Sequence, residues 1–186
     1  MNKIGILAVS FLFLTGCSGG TSEMDRGLGL RSEILQANTV SFDAEITADY
    51  GDKVYIFGMN CQADRDGQLC FTVTEPETIA GITGSIAEDG GKLTFDDTAL
   101  HIELLTDEQL SPVSAPWIFL KTLRTGYITS AGMEEELLRL TIDETYEEDT
   151  LHLDIWLNDN NIPVRAEILY DGRNILSLSV KNFEIG

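Results

Sequence analysis

The sequence predicts a mainly β, α+β domain: a long, curled antiparallel sheet of about ten strands with helices on its concave side. Three observations carry this. Residues 40–50 alternate strictly, with Val40, Phe42, Ala44, Ile46, Ala48 and Tyr50 in one phase and Ser41, Asp43, Glu45, Thr47 and Asp49 in the other, the period of a half-buried strand. Short turn signals recur between apolar runs, with Asp171-Gly172 the strongest because both positions tolerate positive φ. A single segment near 111–126 breaks the pattern, carrying apolar residues on nearly every side.

The first residues are read before the domain. Met1-Asn2-Lys3 precedes an apolar run from Ile4 to Leu14, which ends in Leu14-Thr15-Gly16-Cys17. One cation, a short apolar core and small residues at its end form a secretory signal. The run of about 11 residues is too short for the ~20 that span a bilayer. Aliphatic, small, Gly, Cys is the lipoprotein signal box. Residues 1–16 are therefore read as a lipoprotein signal peptide, with a diacylglyceryl group (and an acyl chain such as palmitate) attached at Cys17. Residues 17–22 are read as a lipidated tether, polar and flexible from Ser18 to Ser22, ahead of one domain over residues 23–186. The expected location is the extracytoplasmic face of the cell membrane. No other cofactor is expected.

The domain opens with an expected helix from Glu23 to Ala37, with Leu30, Ile34 and Leu35 on one side and Gly27 and Gly29 weakening its start. Strands follow over Val40–Tyr50, Val54–Cys61, Leu69–Thr74, Ile79–Ala87, Lys92–Phe95 and Ala99–Leu104. A helix over Ser114–Thr125 follows the Pro112 and Pro116 start signals, with Gly126 as its cap. Four strands close the chain: Tyr127 into Ile142, Leu151–Leu157, Ile162–Tyr170 and Ile175–Ile185.

Charge excludes one function class. Without Lys3, 11 Lys and Arg stand against 31 Asp and Glu, a formal charge near −20. That field repels phosphate backbones and anionic headgroups, so nucleic-acid binding is not expected. Cys61 and Cys70 flank a turn-rich segment between two strands, in an exported chain where disulfides persist. A bridge closing that loop would contribute roughly 2.5–3 kcal/mol; two free thiols are the alternative.

Little points to catalysis. His101 and His152 stand alone on polar strand phases, and Asp64-Arg65-Asp66-Gly67 lacks the remaining ligands of a calcium loop. Gly81-Ile82-Thr83-Gly84-Ser85 lacks the nucleophile-elbow spacing. Acids are abundant but none has a distinguishing environment for paired-carboxylate chemistry. The chain is read as no enzyme, with no metal site. Trp117, Ile118, Phe119, Leu120 and Leu123 are the candidate ligand-binding lid, a helix over the concave face; a buried core helix is the alternative. Trp156, on a polar phase, is either exposed at a partner surface or covered by a helix.

The segments 71–97, 111–126 and 162–185, FTVTEPETIAGITGSIAEDGGKLTFDD, SPVSAPWIFLKTLRTG and IPVRAEILYDGRNILSLSVKNFEI, resemble the LolA/LolB-like lipoprotein-carrier superfamily. They match its strand–Pro–strand hairpins, central helix and closing hairpin, and the nearest likeness is to the GerS-type lipoproteins of spore-forming Firmicutes. The resemblance covers most of residues 22–186 and implies a half-open barrel around a greasy cavity plugged by helices. It implies a membrane-anchored protein that binds a lipid or acyl chain in a lidded concave cavity. The GerS-type likeness implies instead a non-enzymatic germination protein controlling a cell-wall enzyme, such as a spore-cortex amidase. Lipid-carrier members are soluble or sit in the outer membrane of two-membrane cells, and nothing in this sequence shows such a membrane.

Overall fold

A computed structural model describes residues 19–95, 98–102, 105–106, 109–145 and 151–186. Its elements in chain order begin with α1 (Gly19–Gln36), β1 (Thr39–Asp49), β2 (Val54–Asp64), β3 (Leu69–Glu75), β4 (Thr83–Ala87), β5 (Gly90–Phe95) and β6 (Thr98–Ile102). A two-stranded ribbon, β7 (Leu105–Thr106) and β8 (Gln109–Leu110), leads into a 3-10 turn and α2 (Ala115–Thr125). The chain ends with β9 (Tyr127–Glu134), β10 (Leu137–Asp143), β11 (His152–Leu157), β12 (Pro163–Tyr170) and β13 (Arg173–Ile185).

Eleven strands form one antiparallel sheet in the order β6-β5-β4-β3-β2-β1-β13-β12-β11-β10-β9. Each strand neighbours the next in sequence, except that β1 and β13 pair to join the two halves. The outermost strands do not pair with each other, so the curl stays open. Period-two patterning fixes the register, because a one-residue slip would turn every apolar side chain to water. Ile46, Leu178, Ala166, Ile155 and Leu140 stand side by side across β1, β13, β12, β11 and β10, all buried. Their inward face and α2 share one core.

Both helices were legible, with shifted boundaries. α1 begins at Gly19 rather than Glu23, inside the segment read as a tether. It packs on β9, β10 and α2. Leu30 and Ile34 are buried but Leu35 is exposed. Gly27 has a packing role: a Cβ there would lie 2.8 Å from a Leu140 methyl. Gly126 is the C-cap of α2 as expected, its N–H donating to the Thr122 carbonyl at 2.8 Å. Its backbone is extended, and an added Cβ would sit 2.7 Å from Ile142 and 2.8 Å from the Asp143 carbonyl. The segment read as one strand from Tyr127 to Ile142 is a hairpin, turned at Glu135 with φ of 57°. The strand read from Ile79 starts only at Thr83; residues 76–82 are a hydrogen-bonded turn after Pro76.

The expected Cys61–Cys70 disulfide is absent, and both thiols are free. Cys61 pairs with Phe71 and Cys70 with Gln62, so the two cysteines occupy opposite phases. Cys61 points into the core and Cys70 outward. Opposite faces of one sheet cannot be bridged.

Candidate functional site

α2 crosses the concave face because no other surface could cover so many apolar side chains. Trp117, Ile118, Phe119, Leu120 and Leu123 are all buried, with Phe119 and Leu123 at 0% exposure. Phe119 meets Phe42 of β1 edge-on at 5.6 Å and Phe183 of β13 at 6.5 Å. Polar contacts hold the helix at both ends. Trp117 donates its indole N–H to the Gly67 carbonyl at 3.1 Å, and Arg31 of α1 donates to the Leu123 carbonyl at 2.8 Å. Lys121 pairs with Glu144. Ile118, Phe119 and Leu123 therefore fill the space between helix and sheet. Among the described residues these side chains belong to the core.

Open space lies beside the helix instead. A cleft of about 450 Å³ separates α2 from the end of α1, the β2–β3 hairpin and the β4–β5 turn. Leu35, Leu69, Ala87, Trp117 and Leu120 supply its apolar walls, so two of the five candidate lid residues reach it. Arg65, Lys121 and Arg124 supply cations, and Asp66 and Glu88 anions. Arg124 donates to the Asp64 carbonyl at 3.0 Å, while its Nε is buried without an acceptor. Burial lowers the Arg124 pKa, and Asp64 works against that. Sequence reasoning missed Arg65 and Arg124 as site residues. They are distant in sequence, and only the hairpin's docking on α2 brings them together.

The outer face carries a second cluster. Arg165, Trp156 and Arg139 are cross-strand neighbours, with the guanidinium carbons 3.7 Å and 5.4 Å from the indole centroid. The two guanidinium groups thus cover Trp156, which is 3% exposed, in place of either a partner surface or a helix. Asp154, 5% exposed, accepts from Arg139 at 2.6 Å and Thr141 at 2.7 Å. His152 Nδ1 lies 2.7 Å from Asp143 Oδ1, while His101 is exposed. Among the described residues no group of three or more His, Cys, Asp and Glu side chains could hold a metal. Cys17 and the segment read as a signal peptide lie outside the described residues.

No protein-family model matches the chain, and no curated protein matches it by sequence. Solved structures do. A LolA superfamily protein from Nitrosomonas europaea matches with TM-score 0.46 and 9% identity, over 91% of this chain and 94% of that one. The complex of the CwlD amidase with the GerS lipoprotein from Clostridioides difficile matches with TM-score 0.47 and 13% identity, over 88% and 96%. The lipoprotein LppX from Mycobacterium tuberculosis matches with TM-score 0.42 and 11% identity, over 87% and 93%. The likeness is one of chain path and carries no ligand or partner across. No helix among the described residues is long and apolar enough to cross a membrane.

Proposed function

We propose that this chain is an envelope lipoprotein, anchored through lipid on Cys17, that binds an apolar chain in the cleft beside α2. The observation that carries this is the cleft: about 450 Å³, inside the ~300–1,000 Å³ range of small-ligand sites, with walls continuous with the core. The ligand lies along Trp117 and Leu120 at the helix flank. A useful probe is the methyl ester of dibromostearate, whose bromines quench indole fluorescence. The lipoprotein is held in phosphatidylcholine nanodiscs, and a Trp117→Phe variant reports background partitioning. Saturable quenching of Trp117 that disappears in Ala87→Phe, with an unchanged melting temperature, supports the reading. Unsaturable quenching, or quenching indifferent to Ala87→Phe, overturns it.

A second reading has its own observation. β2 pairs with β1 from Val54 onward, but its pairing with β3 reaches only to Gly58. Val54, Tyr55 and Ile56 are 56%, 48% and 60% exposed. Among the described residues no strand pairs with that edge, and an exposed apolar strand edge is a template for another chain. In this reading the protein is a non-enzymatic partner of a cell-wall enzyme such as a spore-cortex amidase. Ile56→Pro should release an amidase that co-purifies with the native lipoprotein; unchanged capture rules that edge out.

A further inference from the structure

We infer that the ligand of the cleft is an anionic amphiphile, its carboxylate or phosphate head held by Arg65 and Arg124 while its chain lies along Trp117 and Leu120. This rests on the reading of the cleft as an apolar-chain site and adds the chemistry of the head.

The first support is the distribution of charge. The whole sequence has 12 Lys and Arg against 31 Asp and Glu, so cations are the scarce species. Three of them, Arg65, Lys121 and Arg124, converge on this one cleft. Asp66 and Glu88 also line it, but acidic side chains are found on most surfaces of such a chain and single out no place.

The second support is the state of those cations. Lys121 is already committed: it pairs with Glu144 and lies 5.3 Å from the Trp117 ring centroid. Arg124 is only half committed. One terminal nitrogen donates to Asp64, and its buried Nε has no acceptor. That nitrogen is enclosed, so it is the terminal nitrogens of Arg124, which lines the cleft, that a ligand's head would meet. Arg65 is exposed on the turn facing Arg124 and makes no ion pair among the described residues. Two guanidinium groups with free donors suit a carboxylate or phosphate, whose oxygens accept two parallel N–H bonds.

The test uses the full lipoprotein in phosphatidylcholine nanodiscs, with binding to empty discs subtracted. Four probes share a twelve-carbon tail: laurate, dodecyl phosphate, methyl laurate and dodecyltrimethylammonium. At least one anion should bind about tenfold more tightly than the ester, the scale of one or two charge-assisted hydrogen bonds. Which anion wins separates a carboxylate head from a phosphate head. The preference should shrink with salt and in Arg65→Gln and Arg124→Gln, with ester affinity unchanged. Arg65→Gln alters an exposed, unpaired side chain, so it remains readable if Arg124→Gln lowers the melting temperature. If ester or ammonium binds as tightly as both anions, or Arg65→Gln leaves the preference intact, the anionic head is wrong and the apolar-chain reading stands. If no probe saturates, both fall together.

Discussion

The indole N–H of Trp117 and the carbonyl of Gly67, 3.1 Å apart, tie α2 to the β2–β3 hairpin across the wall of the cleft. Gly67 has φ of 90°, a conformation that favours glycine. The Asp64 side chain accepts from the Gln68 backbone N–H at 3.0 Å and holds the turn so that this carbonyl faces the helix. A turn and a helix 50 residues apart are thus joined through one side chain.

Trp117 therefore has a core part and a cleft part, and two substitutions separate them. Trp117→Phe keeps an aromatic ring and removes the donor. It should cost about 1 kcal/mol and weaken binding by letting the hairpin move. Trp117→Ala should cost ~3–5 kcal/mol, as should Phe119→Ala, which touches no part of the cleft. Urea unfolding beside probe binding decides the matter. Normal binding by folded Trp117→Phe would remove the hairpin tie from the mechanism.

The thiols make the second prediction. Burial pushes the Cys61 thiol well above its ordinary value of 9.0, and Asp43 adds to the shift. Iodoacetamide at pH 8 should label Cys70 quickly and Cys61 only after unfolding. The linkage sign is that of a raised pKa: the folded state keeps the proton that the unfolded thiol loses. Cys61 therefore costs no stability below pH ~9 and should erode it increasingly above that. Cys61→Ala should flatten this alkaline loss. Equal labelling of both thiols in the folded protein would contradict the strand register.

Asp154 makes the third. Its carboxylate is nearly buried on the outer face and satisfied by Arg139 and Thr141. The Arg139 guanidinium holds its proton more tightly than usual, chiefly through that hydrogen bond. Asp154→Ala leaves the Thr141 hydroxyl unpartnered and frees Arg139 from its place over Trp156. The expected cost is about 1–3 kcal/mol, with the Coulomb share reduced because the Arg139 side chain is 41% exposed. Thr141→Val should cost less. Equal unfolding midpoints for wild type and Asp154→Ala would mean the cluster is only surface decoration.

Alternation made the sheet legible, since Val40 to Tyr50 can bury one face only as a strand. The apolar excess of residues 117–123 made the enclosed helix legible for the same reason. Two turns were hidden. Glu134-Glu135-Glu136 reads as a solvated acidic face, and only the positive φ of Glu135 shows the chain reversing there. Residues 79–82 continue an apolar pattern that the turn after Pro76 interrupts. The cysteines failed on parity: sequence shows that they flank a hairpin, but strand pairing decides their faces. The cleft failed for a different reason. Arg65 and Arg124 meet through tertiary docking, and Trp156 is buried by arginines from two other strands, neither of which local periodicity encodes.

The last prediction concerns the anchor. Leu14-Thr15-Gly16-Cys17 ends an apolar run that is too short to span a bilayer, so durable attachment would depend on lipid. Each buried CH₂ contributes about 0.8 kcal/mol, and one acyl chain holds a protein only marginally, whereas two or more hold it stably. The strongly acidic chain gains no electrostatic help from an anionic membrane. Cys17→Ala should therefore release the protein into the soluble fraction or leave it as unprocessed precursor. Intact mass of the wild type should carry the increment of a diacylglyceryl group that the variant lacks. A Cys17→Ala protein that is processed normally and stays with the membrane would show that something other than lipid on Cys17 holds it there.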